Sequence, residues 1–341
     1  MTPVDLRSDT VTRPVAAMRQ AMAAAEVGDD ILDGDPTTRR LEDRVAQMLG
    51  MDGALFFPSG TQANQTGVGL LCERGTEVIV EADAHLVHGE LAGVASNWGV
   101  QIRPVTTPDG LLTAELVRGA LRPASPHVPR VTAVVVENTH AAAGGRVMAP
   151  AVLDAVVAVA GAAGVPLHVD GARLWNAAAA LGVPLARLVQ GAATAMVSFS
   201  KGLGCPVGSC LGFRGDRRAQ AWEARRRLGG GMRQSGILAA GALWALDNAL
   251  GRLVEDHALA RLLAESLAGC AGIRVVAPES NIVMIDLVRA SDTAESALPR
   301  LARAGVLLAP AGPRRVRAVT HRDVARADVE RAAAAIRDTL R

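Results

Sequence analysis

Tyrosine is missing from this chain of 341 residues, and only four phenylalanines and four tryptophans are present. So few rings argue against a groove for single-stranded nucleic acid, which relies on successive stacking aromatics. Neither sign of charge prevails: 36 basic side chains stand against 34 acidic ones, giving no broad basic field for phosphate backbones. The cysteines Cys72, Cys205, Cys210 and Cys270 show no metal-ligand spacing and have apolar or glycine-rich neighbours. No metal site is expected; reduced, mostly structural thiols in a cytoplasmic protein are. No apolar run reaches the roughly 20 residues of a membrane span. The longest, 147–169, is interrupted by Pro150, Asp154, Pro166 and His168, and reads instead as a helix over 151–163 feeding a strand. The opening residues Met1 to Asp9 have no apolar stretch, so no signal peptide is expected there.

Half of the residues are hydrophobic, so burial is not limiting. Short apolar runs at 54–57, 77–81, 102–105, 132–137, 166–169, 195–199 and 209–213 read as strands. Between them, 39–49, 62–71 and 113–121 carry helical patterns. This alternation predicts an α/β fold with a mostly parallel sheet covered on both faces. After a helical region from 235 to about 267 the character changes. Strand-like runs at 273–277, 281–286, 305–308 and 316–320, closed by a helix at 326–340, predict a smaller α+β unit. The expected division is 1–250 for the amino-terminal segment and large domain, and 251–341 for the small one.

Two runs carry the chemistry. Val197-Ser198-Phe199-Ser200-Lys201-Gly202-Leu203-Gly204 places a lysine just past a buried strand, and His168-Val169-Asp170-Gly171-Ala172-Arg173 places an aspartate likewise. A lysine that holds pyridoxal 5'-phosphate (PLP) as a Schiff base, with a carboxylate at the pyridine nitrogen, accounts for both. A buried Lys–Asp ion pair accounts for them equally. Phe57-Pro58-Ser59-Gly60-Thr61-Gln62-Ala63-Asn64 follows the first predicted strand and opens a helix. Its hydroxyls, glycine and free amides form either a phosphate cup or an ordinary N-cap. Ligands of open α/β sheets gather at the carboxyl ends of strands, which favours the cup and lifts His85, just past another strand, above a structural reading. His140 could face the same crevice, whereas His88 and His127 read as surface groups.

A planar guanidinium grips a carboxylate in two-pronged fashion. Arg173 lies three residues past Asp170, Arg317 sits in a strand-like alternation, and Arg233 follows the triplet Gly229-Gly230-Gly231. Each reads equally as a surface arginine, which is the expectation for Arg315. The run Arg225-Arg226-Arg227 is expected to be a solvated or partner-facing helix segment.

Taken with Asp5-Leu6-Arg7-Ser8-Asp9-Thr10-Val11-Thr12, Val27-Gly28-Asp29-Asp30, Asp35-Pro36-Thr37, Glu137-Asn138-Thr139-His140, Met232-Arg233-Gln234 and Val319-Thr320-His321, these blocks span nearly the whole chain. In that order they resemble the threonine aldolases of the aspartate-aminotransferase-like PLP fold (fold type I). The resemblance implies Lys201 as the Schiff-base lysine, Asp170 at the pyridine nitrogen and His85 stacked on the ring. It implies Ser59, Gly60 and Thr61 around the phosphate, with Arg233 supplied by a neighbouring subunit. Ser8, Arg173 and Arg317 would clamp the substrate carboxylate, Arg173 also bordering the cofactor, and His127 would lie near the substrate side chain. His85, His127 or a water held by one of them would be the base. L-Threonine, L-allo-threonine and related β-hydroxy-α-amino acids are the substrates the resemblance implies, cleaved to glycine and an aldehyde, in a homodimer or homotetramer with shared sites and no nucleic acid or membrane partner. Leu32 and Val87 stand where the family has tyrosines, which loosens the substrate side of the pocket. Another fold-type-I enzyme, an aminotransferase or β-eliminating lyase, would share Lys201 and Asp170. A non-catalytic ligand-binding scaffold would need neither lysine nor clamp. A nucleotide-binding dehydrogenase is disfavoured, because no G-x-G-x-x-G follows the first strand.

Overall fold

The computed structural model describes residues 2–123 and 125–341. The chain opens with a short strand, β1 (Val4–Asp5). It then lays down β2 (Gly53–Phe57), β3 (Glu77–Glu81), β4 (Gln101–Val105), β5 (Val131–Glu137), β6 (Leu167–Gly171), β7 (Thr194–Ser198) and β8 (Ser209–Phe213). The last seven form one sheet in the order β2-β8-β7-β6-β5-β3-β4. Only β8 is reversed, pairing antiparallel with β2 and β7. Every residue of β3, β6 and β7 is buried, as a sheet covered on both faces requires. The parallel strands place the ends of β3, β5, β6 and β7 along one edge, and every candidate side chain there follows from that topology.

The helices are closed by local chemistry. Pro36–Leu49 begins at Asp35, whose carboxylate accepts from the Thr38 amide at 2.8 Å, has Pro36 at its first position and stops at left-handed Gly50. The expected helical region 235–267 is two helices, Gly236–Asn248 and Leu253–Leu267. The break coincides with Asn248 and Gly251, both weak helix formers. Among the described residues no single helix is long and apolar enough to cross a membrane.

The run Arg225-Arg226-Arg227 departs from the expectation. Arg225 is buried, donating to the Phe56 carbonyl at 2.6 Å and to Asp30 at 2.5 Å. In the Arg218–Arg227 helix it shares the inward face with Ala221 and Ala224, since residues three and four apart lie on one side. Arg226 lies over the Trp222 ring, 5.3 Å from its centroid.

The carboxyl-terminal unit adds β9 (Ile273–Val275), β10 (Ile282–Leu287), β11 (Val306–Leu307), β12 (Ala309–Gly312) and β13 (Arg315–Val319). An antiparallel sheet, β12-β13-β10-β9, packs Val283, Ile285 and Val316 against Leu301 and Ile336. The amino-terminal strand β1 pairs in parallel with β11, Val4 opposite Val306, so Val4 and Leu6 are packed in this second core.

Asp256, on the helix under this unit, is fully buried, and neither carboxylate oxygen has a hydrogen-bond partner among the described residues. Burial pushes its carboxyl from the ordinary 3.8 up to about 7. Between those values the folded chain binds the extra proton, so stability falls as pH rises across the interval. Asp256→Asn should therefore be neutral near pH 4 and stabilising above pH 7. Melting temperatures of the two proteins across that range test this; a gap that stays constant with pH would remove Asp256 as its source.

Candidate active site

Asp170, on β6, is 2 % exposed; its carboxylate accepts from Asn64 Nδ2 at 3.0 Å and from the Ala172 amide at 3.1 Å. Burial lifts its carboxyl to about 6, reinforced by the charges of Glu137 and Glu90 and opposed by His85 and Lys201. Lys201 follows β7, its carbonyl accepting from Thr12 Oγ1 at 2.9 Å. Burial lowers its ammonium pKa, as does Arg173 nearby. No ion pair joins Lys201 to Asp170 among the described residues; Asp170 is satisfied by neutral donors. The alternative that needed no ligand is thus not what the chain builds. A buried amine made more nucleophilic and a separate carboxylate short of positive charge fit the aldehyde and ring nitrogen of pyridoxal phosphate.

His85 opens a short turn after β3. Its backbone amide donates to Glu137 Oε2 at 2.7 Å, and its Nδ1 lies 3.0 Å from Glu90 Oε1. The hydrogen bond to Glu90 is the largest cause of its raised pKa; burial opposes it, and the charges of Asp170, Glu90 and Glu137 add to it. Ligand atoms of His85, Glu90 and Asp170 all lie within 4.8 Å of one another, with Asn64 Nδ2 donating to both carboxylates.

Ser59 caps the Gly60–Gly69 helix, its hydroxyl accepting from the Gln62 amide at 3.2 Å, and Thr61 is exposed beside it. A Cβ on Gly60 would stand 3.1 Å from Met196 Cε and 4.0 Å from Ser198 Oγ, so glycine keeps this gap open. Ser198 and Ser200, with hydroxyls 3.4 Å apart, line the strand end opposite. Helix amides and hydroxyls suit a phosphate. Arg233 is half exposed on this chain and pairs with Asp29 at 3.1 Å.

Arg173 is held by Asp9, its Nε and Nη2 donating to the two carboxylate oxygens at 2.8 and 2.6 Å. Asn281 Nδ2 adds a third donor at 3.3 Å. Burial pushes the Asp9 carboxyl up, but Arg173 outweighs it and holds it at about 2. Arg317, on β13, makes no ion pair among the described residues, and its Nε has no partner. Burial and then the Arg173 charge lower its pKa, so an anion between these guanidiniums would satisfy both. Ser8 precedes Asp9 and caps its turn, accepting from the Thr10 amide at 3.2 Å.

His127 is not brought to this site by the chain's own fold. It is exposed in the loop before β5, and β5 runs seven residues, about 20 Å, to the edge where Glu137 stands. His140 is buried and tied to Glu81 at 2.9 Å, while His88 is exposed. Leu32 is 75 % exposed and Val87 is half-buried. Asp9, Asn64, Glu90 and Glu137 went unassigned in the sequence. Glu137, directly ending a predicted strand, carried a signal for it; the others act through contacts that spacing does not reveal.

Residues 5–290 match the family described as beta-eliminating lyase. A low-specificity L-threonine aldolase of Arabidopsis thaliana is 44% identical over 96% of this chain and 94% of its own length. The low specificity L-threonine aldolase of Escherichia coli (strain K12) is 41% identical over 97% of each chain. A solved threonine aldolase of Leishmania major shares the fold, with a TM-score of 0.84 over 99% of this chain and all of that one, at 20% identity. The motif resemblance and the expected fold class are borne out. With its seven-stranded, mostly parallel sheet and smaller antiparallel unit, the chain belongs to the low-specificity L-threonine aldolases of the beta-eliminating lyase family.

Proposed function

We propose that this chain binds pyridoxal phosphate at the described edge and cleaves L-threonine and L-allo-threonine to glycine and acetaldehyde. The observation that carries this reading is the buried amine of Lys201 held apart from the buried carboxylate of Asp170. The bound cofactor supplies a sink for the electrons of the bond that breaks.

The chain's own groups supply the rest. Lys201 offers an amine whose proton is weakly held. Asp170 provides the negative charge that keeps a ring nitrogen protonated. Ser59, Gly60 and Thr61 receive the phosphate, with Ser198 and Ser200 beside them. Arg317 and Arg173 hold the substrate carboxylate, and Ser8 borders it; fixing amine and carboxylate sets the rotation at Cα, which decides the bond that lies ready to break. A base takes the β-hydroxyl proton, the hydroxyl oxygen becomes the aldehyde carbonyl, and the Cα–Cβ electron pair remains at Cα until a proton arrives to give glycine. The first proton transfer is assigned to His85, whose Nδ1 is paired with Glu90. Arg233 and His127 face outward here, and the reading assigns them to a neighbouring subunit's site in a homodimer or homotetramer. The units 1–250 and 251–341 would meet across the substrate, with Lys201 from one and Arg317 from the other.

Acetaldehyde and glycine quantified after incubation with each isomer, with added pyridoxal phosphate, test the reading. Both isomers should be cleaved, the allo form faster, within about tenfold, because one hydrogen bond to the β-hydroxyl is worth about 1 kcal/mol. Leu32 and Val87 offer no hydroxyl to sharpen that choice. Keto acid without glycine would point to an aminotransferase, and a preference above about a hundredfold would end the loose-pocket idea.

A further inference from the structure

We propose that Glu90 is a positioning residue that fixes the tautomer of His85, so that Nε2 is the atom that takes the β-hydroxyl proton. The second half rests on the aldol reading above; the first does not.

The Glu90 side chain is 1 % exposed. Its Oε1 receives Asn64 Nδ2 at 2.8 Å and faces His85 Nδ1 at 3.0 Å, while Oε2 receives Gln65 Nε2 at 2.5 Å. The orientation of Asn64 is itself fixed. His168 is fully buried, which holds its pKa at about 3 and keeps the ring neutral. Its Nε2 lies 2.7 Å from Asn64 Oδ1, which can only accept, so that nitrogen carries the proton. Its Nδ1 lies 2.9 Å from Thr194 Oγ1, a hydroxyl that also reaches the Gly67 carbonyl at 3.2 Å. What fixes Asn64 is the pair of carboxylates: Glu90 and Asp170 accept, so Asn64 turns its Nδ2 hydrogens to them at 2.8 and 3.0 Å and leaves Oδ1 facing His168.

A buried carboxylate fed by two amides acts as an acceptor, which makes His85 Nδ1 a donor. In the neutral ring the lone pair then falls on Nε2, which has no hydrogen-bond partner among the described residues. Gly89 completes the arrangement: a Cβ there would lie 2.5 Å from His85 Nε2 and 2.6 Å from Cδ2. A side chain at 89 would push the ring off its partner.

The charged groups facing this imidazole are Glu90 from its own loop, Glu137 from β5 and Asp170 from β6. All three carboxylates raise the pKa of His85, the Glu90 hydrogen bond most. A base works only when unprotonated, so kcat/KM should fall as pH drops through that raised value. Weakening the Glu90 contact should move this limb to lower pH.

The test uses holoenzyme with 15N-labelled histidine, whose long-range 1H–15N correlations distinguish the tautomers, beside steady-state kinetics. Wild-type His85 should show the Nδ1–H form. Glu90→Met, which can neither accept nor carry charge, should shift it toward Nε2–H and lower kcat about a hundredfold with KM little changed. Glu90→Gln keeps an acceptor without the charge; it should retain Nδ1–H and move the acid limb down, and it serves if the methionine variant does not fold. A wild-type Nε2–H ring overturns the proposal. So does a Glu90→Met enzyme with unaltered kcat, or a Glu90→Gln loss that is equal at every pH. Absence of acetaldehyde from wild type would instead overturn the aldol reading and leave the tautomer assignment standing.

Discussion

Lys201→Ala should abolish glycine formation, by at least about a thousandfold, or about 4 kcal/mol of activation free energy, while leaving the fold intact. The bonds that Lys201 makes to Thr12 and Gly204 come from its carbonyl, which alanine keeps. Its amine, by contrast, is held without an ion pair in a site that penalises charge. Removing it takes away a buried charge, so the melting temperature should hold or rise. Wild type incubated with pyridoxal phosphate should be yellow, bleach with borohydride and yield a modified peptide containing Lys201; the variant should bind the cofactor without an imine and yield no such peptide. Retained turnover would end the assignment, whereas lost turnover with a collapsed melting temperature would make Lys201 structural.

Asp9→Ala should cost both stability and substrate affinity. It leaves the Arg173 guanidinium, 6 % exposed, without the carboxylate that grips it through both oxygens. Breaking a buried pair from one side costs about 3–5 kcal/mol. The sign with pH follows from the direction of the shift. The Asp9 carboxyl is held at about 2 against an ordinary 3.8, so its contribution is complete above the higher value and disappears as pH falls through the lower. Urea unfolding at pH 7 and at successively lower pH, down to the lowest at which wild type remains folded, should show a wide gap between wild type and variant that narrows toward acid. KM should rise, since Arg173 loses the contact that aims it. A variant with normal stability and KM would mean that Asn281 and the surrounding backbone position Arg173 unaided.

The strands of the large sheet were readable because each is a short apolar run bounded by polar residues, and buried parallel strands have that pattern. Lys201, Asp170 and His85 were readable for a related reason: each follows such a run, and the carboxyl ends converge. Arg317 came from strand alternation together with the Val319-Thr320-His321 match, and β13 places it opposite Met284 in the register. Asp9 escaped because its partner lies 164 positions away. Asn64 and Glu90 were visible as residues but not as a pair, since their contact joins a helix to a turn across the sheet edge. Arg225 was misread because its run of three identical residues says nothing about which one a helix turns inward. His127 shows the opposite limit: its place ahead of a strand was plain, and the fold puts it at the far end of that strand.

The parallel pairing of β1 with β11 has a consequence for how the protein is born. Val4 and Leu6 leave the ribosome about 300 residues ahead of Val306 and Leu307, with which they pair. Closing so long a loop adds little entropy beyond a loop half its size, but it cannot happen early. A nascent chain can assemble Lys201 and Asp170 on the large sheet while Asp9, a few residues past β1, still hangs from an undocked end. The grip on Arg173 is then among the last parts to be secured. Chains interrupted in translation would hold the cofactor's attachment point yet lack an ordered seat for the substrate.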